Sequence, residues 1–310
     1  MTFISICIPA YKRIQFIDRL LASIKNQNFK DFEVIVSDDS PGEEVRELCM
    51  KYENSFKIIY HKNLQALGTP ENWNEAIRKS KGEWIKLMHD DDWFADANSL
   101  QLFANAALVS SSKFIFAAYR NIFLAENREE VVTISPLRKW LLKNNSATLL
   151  SKNVIGPPSV CMHRNDGRFW YDKKTKWVVD IDFYIQRLAV ESFHYIDEFC
   201  VSVGISEDHV TQDCVRKPEV EIPENFYLLD KIGWSSLRNI AVYDAVWRLL
   251  RNLSMKNESD IVAAGYSGTL PDIIRSILTF HRQLPKACLE YGLLSKFFMS
   301  IHYIFNFKKA

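Results

Sequence analysis

The chain has 310 residues, 47% of them apolar and 25% charged, enough to bury a sizeable core in one large domain or one domain with an appendage. Lysine and arginine total 39 against 38 acidic residues, so no global field draws the protein onto nucleic acid or an anionic surface. Cys7, Cys49, Cys161, Cys200, Cys214 and Cys288 lack metal-type spacing and read as small buried hydrophobes in a reducing compartment. The N-terminus opens on a strand pattern without a basic segment and apolar core of a signal peptide, and no apolar run reaches the about 18 residues of a spanning helix. These features predict a cytoplasmic chain.

In chain order, residues 4–10 (Ile-Ser-Ile-Cys-Ile-Pro-Ala) form an apolar strand. Pro9 removes a backbone donor near its end, so pairing stops there and the chain turns outward, presenting Tyr11 and Arg13. Ile14, Ile17, Leu20, Leu21 and Ile24 follow at helical spacing. A strand over 32–37 then ends in Asp38 and Asp39. A charged helix around 43–53, a strand at 57–60 and a helix over 70–80 come next, with Pro70 suited to a first turn and Lys81-Gly82 to a stop. Strand 84–88 runs straight into Asp90, Asp91 and Asp92, and a helix over 97–109 and a strand at 113–118 close the series. Strands alternating with helices of about 10–15 residues predict right-handed crossovers and a mostly parallel sheet, a Rossmann-like α/β architecture.

Residues 120–178 read as irregular, broken at Gly156-Pro157-Pro158, with a short strand-like Val160-Cys161-Met162 and an aromatic loop, Phe169-Trp170-Tyr171-Asp172. A helix begins near Val179 with Asp180 and Asp182 in its first turn. Two residues apart, they point in different directions, so at most one faces a cleft. A carboxylate there suits a helix cap and equally suits a general base that must start deprotonated. Helical patterns continue through 225–254 and 269–282. At the end, Leu294, Phe297, Phe298, Ile301, Ile304 and Phe305 share one face of a helix over 293–309, accompanied by three lysines. Such a stripe either packs on its own domain or lies in a membrane interface.

The acidic strand ends carry the chemistry. Three adjacent carboxylates at the carboxyl edge of a strand repel one another, and a divalent cation with oxygen ligands, itself a usual partner of phosphate, would offset them. For the triplet alone, a solvated turn capping the helix near Asn98 is the plain alternative. Three strand ends bearing Tyr11 and Arg13, Asp38 and Asp39, and the triplet favour a nucleotide-plus-metal site: an aromatic face stacks on a base, a carboxylate accepts from a base N–H, and arginine holds phosphate. The turn after the first strand holds Tyr11-Lys12-Arg13 instead of a glycine fingerprint, which argues against a dinucleotide dehydrogenase.

Four segments resemble the family 2 glycosyltransferases, inverting enzymes of the GT-A fold. They are Ile6-Cys7-Ile8-Pro9-Ala10-Tyr11-Lys12-Arg13, Asp31 to Ser40, Leu67-Gly68-Thr69-Pro70 with Asn72-Trp73-Asn74, and His89-Asp90-Asp91-Asp92. The resemblance covers residues 3–120 and extends more loosely to about 210. It implies a catalytic domain over 1–215, with a nucleotide-binding half to 120 and an acceptor half after it. A helical region over 216–310, with a membrane-surface helix at 293–309, would follow.

Residue by residue, the resemblance implies Tyr11 on the nucleobase and Asp39 accepting its ring N–H, with Asp38, Pro9, Arg13 and Asn72 also in the donor site. Asp90 would lie near the ribose, and Asp91 would ligate Mn²⁺ or Mg²⁺ on the diphosphate. His89 stands where the family usually has Asp, which leaves Asp91 as the direct ligand. Asp180 falls at the position of the catalytic base, although Val179 replaces the usual preceding Glu, and Asp182 is the alternative. His209 is a further candidate ligand, with a lone surface histidine the plainer reading. Phe169, Trp170, Tyr171 and Trp177 offer either acceptor-binding faces or ordinary packing.

The implied activity is transfer from a nucleotide-diphosphate sugar to a hydroxyl of a glycan or lipid-linked acceptor in bacterial surface polysaccharide synthesis. It would take place in the cytoplasm at the inner face of the membrane, with no nucleic-acid partner. A nucleotidyltransferase is a weaker alternative, because its glycine-rich basic loop is missing. A catalytically inactive nucleotide-sugar-binding relative is the other, to which His89 and Val179 would be suited.

Overall fold

The computed structural model describes residues 2–205 and 215–309. The described residues of Met1–Lys143 and Val154–Glu207 form one compact unit, and those of Asn144–Asn153 and Asp208–Ala310 form another.

The first unit is α/β. Strands β1 (Ile4–Ala10), β2 (Phe32–Asp38), β3 (Ile58–Lys62) and β4 (Trp84–Leu87) lie in the order β3-β2-β1-β4, all parallel. β1 and β2 are buried along almost their whole length, as near-continuous apolar strands covered on both faces must be. The connecting helices are α1 (Ile14–Lys25), α2 (Glu44–Met50) and α3 (Glu71–Lys79). α1 buries Ile17, Leu20, Leu21 and Ile24, the i, i+3, i+4, i+7 stripe of an amphipathic helix. All seven elements fall where the hydrophobic periodicity predicts them.

Beyond β4 come β5 (Trp93–Phe94), α4 (Ser99–Val109), β6 (Phe114–Phe123), β7 (Arg128–Val132), α5 (Pro136–Asn144), β8 (Cys161–Arg164), α6 (Val179–Leu188) and β9 (Phe193–Ile205). β8 joins β4 antiparallel, and the sheet continues β8-β6-β9-β5 with β7 paired to β6. β6 and β9 are parallel, whereas β5, β7 and β8 run antiparallel to their neighbours, so the sheet is mixed. The stretch expected to be irregular is therefore partly regular: β6 runs on to Phe123 and turns back as β7. β9 is hidden from a periodicity reading because its pairing with β6 slips around Ala118, where the strand carries the exposed Asp197 and Glu198.

The second unit is helical: α7 (Pro218–Ile232), α8 (Ile240–Asn252), α9 (Glu258–Ala263), α10 (Asp272–Gln283), α11 (Lys286–Glu290) and α12 (Gly292–Asn306). Phe226, Leu229, Val246, Trp247, Ile274 and Ile277 form its core, and Ala147 from the short turn Ser146–Leu150 joins it. Of the apolar positions on α12, Phe298 packs against this core, while Leu294, Phe297, Ile304 and Phe305 are exposed. No helix among the described residues is long and apolar enough to cross a membrane. Cys7, Cys49, Cys161 and Cys200 are free and buried as expected, and Cys288 is half-buried.

Candidate active site

Parallel register gathers the expected residues at one sheet edge. Ala10 pairs with Asp38, and the Asp39 N–H donates to the Ala10 carbonyl at 3.0 Å, so Tyr11 and Asp39 leave their strands side by side. On the other side of β1, the Met88 N–H donates to the Cys7 carbonyl at 2.9 Å, which brings residues 89–92 out beside Pro9. Lys12 adopts a left-handed conformation (φ 64°) in the turn between, and its N–H donates to Ser40 Oγ at 2.7 Å. Such a φ is uncommon for a residue other than glycine, and the hydrogen bond holds the turn in place.

Tyr11 is half exposed, with the Lys12 amine 4.8 Å from its ring centroid. Asp39 is nearly buried and accepts from Asn63 Nδ2 at 2.7 Å and from the Gly68 N–H at 2.8 Å. The same Asn63 amide donates to Asn72 Oδ1 at 3.1 Å, so Asn63, a residue the sequence reading missed, links the two. Asp38 is fully buried. Its carboxylate accepts from the Ser40 N–H (2.8 Å), the Tyr60 hydroxyl (2.6 Å) and the Lys62 amine (3.2 Å). These bonds brace the turn after β2, and they occupy the side chain that sequence reasoning grouped with the donor site.

The triplet is held from several sides. Arg13 Nη1 lies 2.8 Å from Asp91 Oδ2 and 3.5 Å from Asp90 Oδ1. Arg19, on α1, donates to the Asp91 carbonyl at 2.7 Å while its guanidinium lies over the Trp93 ring at 3.7 Å. Burial, and then the neighbouring Asp91, push the Asp90 carboxyl up to about 7, against the pull of Arg13 and the Tyr11 N–H. Asp92 is buried and its carboxyl is pushed well up, first by burial and then by Asp91; hydrogen bonds from Ser159 and the Gly204 N–H (3.1 Å) and the charge of Lys86 oppose this. Lys86 is itself buried, donates to the Ser159 carbonyl, and is pushed down to about 8 by burial. β9 passes so close that a Cβ at Gly204 would collide with the Asp91 carbonyl oxygen.

His89, Asp91 and Asp92 each offer a ligand atom, all within 4.8 Å of one another. Within this segment the sequence reading singles out Asp91 as the direct ligand, with His209, outside it, as the further candidate. Which side chains converge is decided by the turn itself, closed by the Asp92 N–H to the His89 carbonyl at 3.2 Å, and nothing in three consecutive aspartates reports that. The His89 backbone N–H is anchored on Ser159 Oγ at 2.9 Å, and its ring packs 4.6 Å from Trp73.

On α6 the two carboxylates separate. Asp182 is buried and accepts from Gln186 Nε2 at 2.8 Å. Asp180 is partly exposed, and its Oδ1 accepts from the Ile181 N–H at 2.8 Å. The Tyr119 phenol is pushed up to about 12, mainly by burial and then by the charges of Cys161, Asp92, Glu130 and Asp180. Gly156 (φ 104°) lies against it: a Cβ there would sit 2.6 Å from Tyr119 Cε1. In the aromatic loop, Tyr171 is a packing residue, stacked on Phe183 at 4.1 Å and edge-on to Trp73 at 5.1 Å, with its backbone bonded to Asn74 in both directions. Trp170 is exposed. His209 lies outside the described residues.

Comparison with known proteins identifies the family and the fold. The chain is 28% identical over 163 residues to the abequosyltransferase RfbV of Salmonella typhimurium, a match covering 49% of this chain and 45% of that protein. It thus spans less than half the length of that relative. Among solved structures, TarS residues 1–349 of S. aureus in complex with UDP-GlcNAc superimposes with a TM-score of 0.58 at 15% identity, covering 91% of this chain and 92% of that one. The mannosyltransferase PcManGT from Pyrobaculum calidifontis, in complex with GDP-Man and Mn²⁺, gives a TM-score of 0.52 at 15% identity over 97% and 84%. The fold is GT-A. The sequence model described as Glycosyl transferase family 2 matches residues 5–164, over half of the chain, and the protein belongs to that family.

Proposed function

We propose that the protein is an inverting, metal-dependent glycosyltransferase that moves a sugar from a nucleoside diphosphate sugar to a hydroxyl of a glycan or lipid-linked acceptor, in bacterial surface polysaccharide synthesis. The convergence of His89, Asp91 and Asp92 beside the Arg13 ion pair carries this reading. One imidazole and two carboxylates suit a divalent ion of the Mn²⁺ type, with Mg²⁺ as the alternative, and such an ion would favour the charged form of carboxyls that burial, and then Asp91, now push up. When bound, the ion would neutralise charge building on the diphosphate leaving group.

The remaining work falls to the chain's own residues. Tyr11 stacks on the base and Asp39 accepts its ring N–H, which suits uracil, thymine or guanine. Pro9 ends pairing so that this turn stays open, and Asn72 supports Asp39 through Asn63. Asp90 lies toward the ribose, and Arg13 exchanges its carboxylate partner for phosphate. Asp180 takes the proton from the acceptor hydroxyl during a single displacement that inverts the anomeric centre. Free buried cysteines favour a reducing compartment, and we place the reaction on the cytoplasmic side of the membrane.

Titration calorimetry with nucleoside diphosphates, with and without Mn²⁺, tests the site. Asp91→Asn is expected to remove the Mn²⁺-dependent part of the affinity and abolish turnover of the nucleotide sugar. The same Mn²⁺ dependence in the variant would refute the metal assignment, and a product of retained anomeric configuration would refute single displacement.

A further inference from the structure

Helix α12 is amphipathic the wrong way round. Its buried side presents Ser295, Met299 and His302, at i, i+4 and i+7, and two of these three are polar. Ser295 Oγ accepts from Trp247 Nε1 and from Arg251 Nη1, each at 3.0 Å. The His302 ring is bonded on one nitrogen to the Tyr243 hydroxyl and on the other to Ser276 Oγ at 3.0 Å. The opposite side carries Leu293, Phe297 and Ile304, at i, i+4 and i+11, flanked by Leu294 and Phe305. All five are exposed, and all but Leu294 more than half so. The helix is docked through these hydrogen bonds and through Met299, Phe298 and Tyr303, and it leaves its outer apolar stripe facing solvent. Contiguous apolar surface of this kind marks an interaction site.

We infer that this face of α12 docks onto an anionic lipid bilayer, lying in the plane of the headgroups. Charge selects this occupant. From Tyr291 to the C-terminus the sequence contains Lys296, Lys308 and Lys309 and no aspartate or glutamate, although the whole chain is almost neutral. Lys296 and Lys308 are exposed. A helix with an apolar stripe, a basic margin and an exposed tyrosine at its start, Tyr291, has the composition of an interfacial anchor. A second copy is the poorer fit, because pairing two such faces would bring their lysines together with no acid on either helix to meet them. The stripe also runs into a groove of about 500 Å³ between α10 and α12, lined by Ile301, Phe305 and Phe280 and by Arg275, whose charge is met by Asp272 and Glu258.

Flotation of the whole chain with phosphatidylglycerol vesicles, and separately with phosphatidylcholine vesicles, tests the inference. The wild type is expected to float with phosphatidylglycerol and much less with phosphatidylcholine. Phe297→Ser and Phe305→Ser are each expected to weaken partitioning at least about tenfold. Lys296→Gln and Lys308→Gln should each weaken it about fivefold, on the anionic vesicles alone. All four side chains are exposed, so melting temperatures should stay unchanged. A wild type that fails to float, or serine variants that float as well as it does, would overturn the inference. So would self-association in light scattering without lipid that Phe297→Ser abolishes, since the face would then be a dimer interface.

Discussion

Arg13 and Asp91, 78 residues apart in sequence, form an ion pair of 2.8 Å that ties the turn after β1 to the turn after β4. The pair is largely shielded, and Arg13 reaches Asp90 as well, at 3.5 Å. Arg13, together with Arg19 and the buried Lys86, supplies the positive charge that faces this acidic cluster. Burial, and then the charge of Asp91, holds the carboxyls of Asp90 and Asp92 up within it.

At Asp90 the effect of burial is measurable. Its carboxyl is held up to about 7, above the range of an unfolded aspartate, so over this interval the folded chain binds a proton that the unfolded chain releases. Stability of the metal-free protein then falls as pH rises from about 4 to about 7 and levels off above that. Asp90→Asn removes the part of this dependence that Asp90 contributes and leaves that of Asp92. Its melting temperature should match wild type at the acid end and exceed it by about 2–8 °C at the alkaline end. Thermal melts across this range in a chelator decide the matter, and a difference constant with pH would show that Asp90 is not the source.

Asp180 and Asp182 are separated by burial. Asp180→Asn should bind donor normally while transfer falls by about 10²–10⁴-fold, the usual cost of losing a general base. Asp182→Asn should remain active and lose about 1–3 kcal/mol of stability, because its buried carboxylate accepts from Gln186. Single-turnover rates alongside denaturant melts distinguish the two, and a dead but stable Asp182→Asn would reverse the assignment.

At the base pocket, Tyr11→Ala should weaken nucleotide binding by about 1–3 kcal/mol through loss of a stacking face. Asp39→Asn should erode discrimination between UDP, GDP and ADP more than it lowers overall affinity. Asp38→Asn should do neither and should instead lower the melting temperature, since that carboxylate is engaged inside the protein. A calorimetric panel with the three nucleotides reads all three variants, and uniform losses for Asp39→Asn would make Asp39 structural.

Gly204 tests the contribution of β9. A methyl group there meets the Asp91 carbonyl oxygen, so Gly204→Ala must push apart β9 and the turn that carries Asp91. A stability loss of about 1–3 kcal/mol is expected, together with weaker Mn²⁺-dependent nucleotide binding. Full Mn²⁺ dependence at wild-type stability would show that the turn moves freely.

The parallel core of the sheet, its helices and the three strand ends were legible in the sequence because each depends on local patterning. A central parallel strand reads as an apolar run, α1 as a stripe of four, and Pro9 or the aspartates as its terminators. Tertiary structure alone decided which of the neighbouring acids does what. Asp38 and Asp39 differ only in which is drawn inward by Tyr60 and Lys62, and Asp180 and Asp182 only in which is covered. The grouping of His89 with Asp91 and Asp92 depends on a turn anchored to Ser159 and Gly204, residues distant in the chain. The outward stripe of α12 belongs to the same class: periodicity shows that a face exists, but the buried partners of Ser295 and His302 determine which side of the helix is covered.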